Sequence, residues 1–213
     1  MSTYLVTDRE LSGPRGVLEV IGRAVDGGAT AIQLREKSGT ARELFELTVA
    51  ASAVIDGRAL LFVDDRVDVF LAARAAGARV DGVHVGQSDL PVLETRRIIG
   101  ADAMLGLTAN TPAHFAAVAA LPTGTVDYLG VGVIRPTSTK PDHPAPLGVD
   151  GFRALAASTG LPCVAIGGVS LDDSAALRRA GAAGLAVVSA ICAADDPDQA
   201  AAAFRAAWTE ARA

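Results

Sequence analysis

Short apolar runs rich in Val, Ile and Leu recur along the chain, each ending in polar residues or glycine and each followed by an alanine-rich amphipathic stretch. Runs this short, without alternating polar positions, read as strands buried on both faces. They fall at 3–8, 31–37, 59–65, 82–87, 104–109, 126–133, 162–168 and 184–191. Between them the pattern predicts helices near 14–27, 39–55, 66–76, 89–98, 112–120, 148–158, 171–180 and 197–211. Ser88-Asp89, Thr111-Pro112 and Asp196-Pro197 stand where the fourth, fifth and eighth helices should begin. Gly28, Gly77 and Gly181 stand where others should end.

Strands alternating with helices imply a parallel sheet. Eight such units of about 27 residues match a lean (β/α)8 barrel. A doubly wound open sheet would need a glycine-rich turn after the first strand, and TYLVTDRELSGPRG contains no GxGxxG. No Pro-, Ser- or Gly-rich linker divides the chain. The expected architecture is therefore an α/β fold, a single TIM-barrel domain over residues 1–213.

Composition narrows the function classes. A hydrophobic content of 50% with 4% aromatic residues gives an aliphatic core. The net charge of −5 argues against nucleic acid or an anionic membrane surface as partner, so a bound anion must be held by a local cluster. Cys163 and Cys192 sit in apolar runs without metal-ligand spacing and read as buried thiols in a reducing compartment. No apolar run reaches about 18 residues, and MSTYLVTDRE lacks a signal-peptide pattern, so the expected location is cytoplasmic. Arg96-Arg97 and Arg178-Arg179 read as solvated helix faces. Phe204 and Trp208, four apart, read as core or as an exposed interface for a homo-oligomer.

In a barrel the chemistry gathers at the carboxyl ends of the strands, and the polar clusters fall there. The second strand runs into Gln33-Leu34-Arg35-Glu36-Lys37, the third into Asp64-Asp65, and the fourth through His84 into Gln87 and Asp89. The fifth ends near Thr108 and Asn110, the sixth leads into Thr137-Ser138-Thr139-Lys140, and the last two reach Gly167-Gly168 and Val188-Ser189. Of the 19 Lys and Arg residues only Lys37 and Lys140 are lysines, and both close such clusters. A lysine is a compact, mobile charge suited to a single phosphate oxygen. The glycines and small residues after the last two strands leave backbone N–H groups open to a phosphate. Asp65 and Asp89 fit Mg²⁺ completed by phosphate oxygens. They equally fit structural uses, Asp89 as a helix cap and Asp65 paired with Arg66 or Arg35. His84, opposite in parity to Val83 and Val85, reads as a structural histidine of the barrel interior.

Taken in order, YLVTD, GATAIQLREK, DDRVDVFLAARAAGARVDGVHVGQSDLP, GVGVIRPTSTK, AIGGV and GLAVVSAI closely resemble the thiamine-phosphate synthase family from about Tyr4 to Pro197. The resemblance implies a transferase that joins a hydroxymethylpyrimidine diphosphate to a thiazole phosphate, or its carboxylated form, releasing pyrophosphate. It implies pyrimidine-diphosphate contacts at Gln33, Leu34, Arg35, Glu36, Lys37, Asp64, Thr108 and Lys140. It implies Mg²⁺ ligands at Asp65 and Asp89, and thiazole-phosphate contacts at Thr137, Ser138, Thr139, Gly168, Val188 and Ser189. Diphosphate departure assisted by Mg²⁺, Lys140, Arg35 and Lys37 would be followed by capture of the pyrimidine cation by the thiazole nitrogen.

The chain departs from the family pattern in Asp64 where Asn is usual and Thr108 where Ser is usual. It also has Val133 after Gly132 where Pro is common, and Arg135 where an aromatic residue is common. Arg135 fits either a phosphate contact or a solvent-facing position. Two rival readings stand beside the synthase. A thiazole tautomerase-like isomerase would keep the last phosphate site without needing Asp65, Asp89, Lys37 and Lys140 together. A non-catalytic phosphate-ligand-binding barrel finds support in Asp64.

Overall fold

The computed structural model describes residues 1–137, 139 and 145–211. Ser138 and Lys140, both expected at the site, and His143 lie outside the described residues. The strands are β1 (Thr3–Val6), β2 (Ala31–Leu34), β3 (Leu60–Asp64), β4 (Gly82–Val85), β5 (Met104–Thr108), β6 (Tyr128–Gly132), β7 (Cys163–Ile166) and β8 (Ala182–Val187). Each pairs in parallel with the next, and β8 pairs back onto β1, closing the barrel expected from the pattern. The longer helices are α1 (Gly16–Asp26), α2 (Ala41–Ile55), α3 (Val67–Ala75), α4 (Val92–Ile99), α5 (Pro112–Ala119), α6 (Gly148–Ala156), α7 (Ser174–Arg179) and α8 (Pro197–Glu210). Among the described residues no helix is long and apolar enough to cross a membrane.

Strand alternation divides the apolar residues into two cores. Leu5, Ile32, Leu61, Val83, Leu105, Leu129 and Leu185 pack in a cluster shared with the helices. Tyr4, Ala31, Phe62, Tyr128, Val164 and Ala186 form a second cluster inside the barrel. Both faces of each strand are thereby desolvated, which is why the strands carry no polar stripe.

The helix starts are secured in different ways. Thr40 and Glu43 close a capping box on α2, with the Glu43 carboxylate accepting from Thr40 N at 2.7 Å and Thr40 Oγ1 accepting from Glu43 N at 3.2 Å. Thr111 caps α5, accepting from His114 N at 3.2 Å. Asp196 makes no side-chain cap and instead accepts from Arg23 at 2.7 Å.

Other expectations are corrected. Helix α4 starts three residues past Asp89, which caps nothing there and accepts from Gly86 N at 2.7 Å. Strand β8 starts at Ala182 and stops at Val187; Ile191 and Cys192 reach the outer core from a one-turn helix, Ser189–Cys192. A short apolar run fits a buried helical turn as well as a strand. Phe204 and Trp208 are 3% and 9% exposed, so they are core and offer no face to a second copy. Arg96 donates to the carbonyls of Gly100, Ala103 and Thr125 and to Asp127, stitching the lower end of the barrel. Arg178 stacks on Trp208 with its guanidinium 4.7 Å from the ring centre and donates to the Trp208 carbonyl. Both arginines are held by partners some thirty residues away, not left to solvent.

Candidate active site

The carboxyl ends of the strands open into a cavity of about 560 Å³ whose two walls differ in kind. One wall comes from the ends of β2, β3 and β4 and carries charged side chains. Asp64 closes β3, and the next residue, Asp65, turns into the left-handed region at φ 60°. Such a conformation costs a non-glycine residue about 1–3 kcal/mol and tends to cluster at functional sites. It brings Asp65 against Lys37, whose ammonium donates to the Asp65 carboxylate and lies 3.4 Å from Asp64. Asp65 and Asp89 line the same cavity. Burial, the neighbouring Asp64 charge and Asp89 push Asp65 up to about 6, against the bond from Lys37. Burial likewise raises Asp64, although the charges of Lys37 and Arg35 oppose it. Lys37 is raised: partial burial works against its charge, but the bond to Asp65 and the charges of both aspartates outweigh it.

Arg35 is held more loosely. Its Nε is 3.9 Å from Asp64 and its Nη1 3.9 Å from Asp8, ion-pair separations too long for hydrogen bonds. Its fork is therefore free to turn toward an incoming anion. Asp65 pairs with Lys37, and Arg66 binds Asp68 instead, so the expected Asp65–Arg66 pair is absent. Two further residues of the segment do not reach the cavity. Leu34 packs into the outer core and does not line the cavity. Glu36 accepts from Arg9 and from Ser38 N and Oγ, both at 3.0 Å, and so braces the loop.

Beneath this wall a chain of hydrogen bonds crosses the barrel interior. Gln33 Nε2 donates to Tyr4 Oη at 3.0 Å, and Tyr4 Oη lies 2.9 Å from Tyr128 Oη. Tyr128 Oη is 3.0 Å from His84 Nδ1, and His84 Nε2 is 3.0 Å from Thr108 Oγ1. With Gln33 donating, a consistent direction has each hydroxyl passing its proton along, His84 protonated on Nε2, and the Thr108 proton turned to the cavity. Gly106 faces His84 in the neighbouring strand; a Cβ there would stand 2.4 Å from both His84 Nδ1 and Tyr128 Oη. His84 is thus the interior structural histidine expected. The tyrosines went unnoticed in the sequence, though the chain contains only two and both fall at inward positions. His114, which accepts from Asn110 N at 3.3 Å, also lines the cavity and was not anticipated there.

The opposite wall is built from backbone and hydroxyls. Gly167 and Gly168 follow β7 at φ 88° and 65°, conformations that favour glycine. Val188 and Ser189 follow β8 where the one-turn helix begins. Thr137 Oγ1 and Thr139 Oγ1 are 2.9 Å apart on the loop after β6, which starts with a cis Gly132–Val133 peptide. Arg135 does not face a phosphate: its guanidinium binds Asp173, with Nε 3.0 Å from each carboxylate oxygen. The free thiols play no part in this cavity; burial pushes Cys163 and Cys192 up to about 11.

A parallel eightfold barrel with cations and carboxylates facing glycine turns and hydroxyls across its mouth is built to hold phosphorylated small molecules. The model of the family described as thiamine monophosphate synthase matches residues 3–191. The chain belongs to that family. It is 45% identical over 213 residues to the thiamine-phosphate synthase of Xanthobacter autotrophicus, covering all of this chain and 97% of the relative. It is 41% identical over 201 residues to that of Psychrobacter sp., covering 94% and 92%. The solved thiamine phosphate pyrophosphorylase of Pyrococcus furiosus superposes with a TM-score of 0.85 at 32% identity, covering 100% of this chain and 97% of that one.

Proposed function

We propose that this chain is the transferase that joins a hydroxymethylpyrimidine diphosphate to a thiazole phosphate, giving thiamine phosphate and pyrophosphate, or to its carboxylated form with carbon dioxide released as well. The observation that carries the reading is the pairing of walls. The Lys37–Asp65–Asp89 cluster stands across one cavity from the Gly167-Gly168 turn, so two phosphorylated groups can be held facing each other.

In this reading the pyrimidine lies over Gln33 and Thr108, and its diphosphate is drawn by Arg35, Lys37 and Lys140. Thr137, Ser138, Thr139, Gly168, Val188 and Ser189 receive the thiazole phosphate. Asp65 and Asp89 fit Mg²⁺: both offer hard oxygen ligands, and both line the same cavity as the cations that would draw a diphosphate. Among the described residues no cluster of three or more His, Cys, Asp or Glu side chains has metal-holding geometry, so substrate and water would complete the shell. When bound, the ion supplies positive charge to the departing diphosphate. Lys37 and Arg35 add charge at the same end. The carbon–oxygen bond breaks with its electron pair leaving on the diphosphate, and the thiazole nitrogen lone pair captures the methylene cation. That nitrogen carries no proton, so the step needs no general base and His84 can remain structural.

A cytoplasmic location accompanies this reading, in keeping with two buried, unpaired thiols. A coupled assay with both substrates, with and without Mg²⁺ and chelator, tests it. Thiamine phosphate formed and abolished by chelation is the expected result. Thiazole isomerisation without coupling would install the isomerase reading instead, and binding without turnover the silent barrel.

A further inference from the structure

Asp173 is unusually deep for an acid, its side chain 3% exposed in the connection between β7 and α7. Locally it accepts from Ser170 N at 3.1 Å and Ser170 Oγ at 2.9 Å, closing a capping box over the turn Leu171–Asp173. The same carboxylate takes Arg135 from the loop after β6, through Nε at 3.0 Å to both oxygens and through Nη2. The backbones of the two loops are also in register. Arg135 N donates to Gly167 O at 3.0 Å, and a Cβ on Gly168 would stand 2.8 Å from the carbonyls of both Arg135 and Pro136. The loop that carries Thr137 and Thr139 is therefore fastened to the glycine turn twice, by peptide contact and by a charge-assisted fork.

We propose that Arg135 and Asp173 are positioning residues for the thiazole-phosphate half of the site. Their bond presets the Thr137 and Thr139 hydroxyls against the Gly167-Gly168 amides, so that the phosphate meets an assembled cradle. It also pairs the buried Asp173 charge, which would otherwise keep only the Ser170 donors on the connection that follows the glycine turn. The inference rests on the reading of that wall as the thiazole-phosphate site. Arg135 itself touches no substrate, because its fork is already occupied.

Removing the fork should weaken thiazole-phosphate binding and leave the pyrimidine diphosphate, held on the far wall, untouched. In Arg135→Met we expect the calorimetric Kd for thiazole phosphate and its KM to rise about 10–100-fold, with the KM for pyrimidine diphosphate unchanged. The double variant Arg135→Met/Asp173→Asn should bind better than Arg135→Met alone, because the stranded anion is gone. Arg135→Lys should recover only part of the affinity, since an ammonium lacks the planar fork. An unchanged Kd in Arg135→Met, equal losses for both substrates, or a double variant no better than the single one each overturns the proposal. Should Arg135→Met fail to fold, Arg135→Lys and Asp173→Asn carry the same split between the two substrates. A wild-type protein that binds thiazole phosphate without turning it over refutes the synthase reading alone, because the binding measurements on the variants remain decisive for the pair.

Discussion

The two walls of the mouth solve one problem, holding phosphate, with opposite materials. The wall from β2, β3 and β4 presents the side chains of Arg35, Lys37, Asp64, Asp65 and Asp89. The wall from β6, β7 and β8 uses threonine hydroxyls and peptide N–H groups that glycines leave uncovered. Charge on the first wall can be tuned, screened and shifted by a passing cation. The second keeps its donors whatever the salt, and its weakness is steric: a single methyl group in the wrong place closes it. This division fits a reaction in which one partner loses a highly charged fragment while the other keeps its phosphate throughout.

The largest expected effect lies on the charged wall. Lys37→Ala should lower kcat/KM about 10²–10³-fold, with a deficit that shrinks as salt rises because the side chain is 53% exposed. Steady-state kinetics at two ionic strengths decide it, and a loss in Thr139→Ala that shrinks with salt in the same way would erase the contrast between the walls. Next comes the hydrogen-bonded chain beneath the charged wall. Tyr128→Phe should destabilise the fold by about 1–3 kcal/mol in urea denaturation, because it removes the buried bonds of Tyr128 Oη to Tyr4 Oη and to His84 Nδ1. A change near zero would mean that the relay is decorative.

A smaller effect belongs to the glycine wall. In Gly168→Ala the added Cβ presses on the Arg135 and Pro136 carbonyls at a positive φ, and the KM for thiazole phosphate should rise about tenfold. Unlike the lysine variant, it should respond little to salt. The smallest effect is on acid stability. The Arg135 fork holds the Asp173 carboxyl below its ordinary 3.8, so its contribution is present above that pKa and fades as pH falls through the lowered one. Asp173→Asn should therefore be less stable than wild type near neutral pH, and the gap should narrow below about pH 4. A gap that widens in acid would reverse the assigned direction.

Much of this was legible in the chain. The alternation of apolar runs and amphipathic stretches yields the barrel because each strand is dry on both faces, and the barrel rule then sends every polar terminus to one rim. What stayed hidden depends on parity and register. Tyr4 and Tyr128 look like ordinary members of apolar runs until alternation turns both inward and barrel closure brings hydroxyls 124 positions apart in sequence to 2.9 Å. Arg96 looks like half of a solvated arginine pair until its helix end meets Asp127, 31 positions on. Asp89 looks like a cap because Ser-Asp commonly starts helices, yet Pro91 delays the helix and frees the carboxylate for the cavity. The left-handed turn at Asp65 has no signature beyond the tolerance of aspartate for it.

The hollow left by Gly106 sets a limit on how this lineage can vary. A strand in the middle of a sheet would ordinarily gain from a branched side chain, and drift toward one should be easy. Here any carbon beyond Cα would evict an imidazole and a phenol that share the vacancy, and with them the wire running from Gln33 to Thr108. Substitution at this position is therefore open only to a descendant that rebuilds the histidine, the tyrosine and the glycine together.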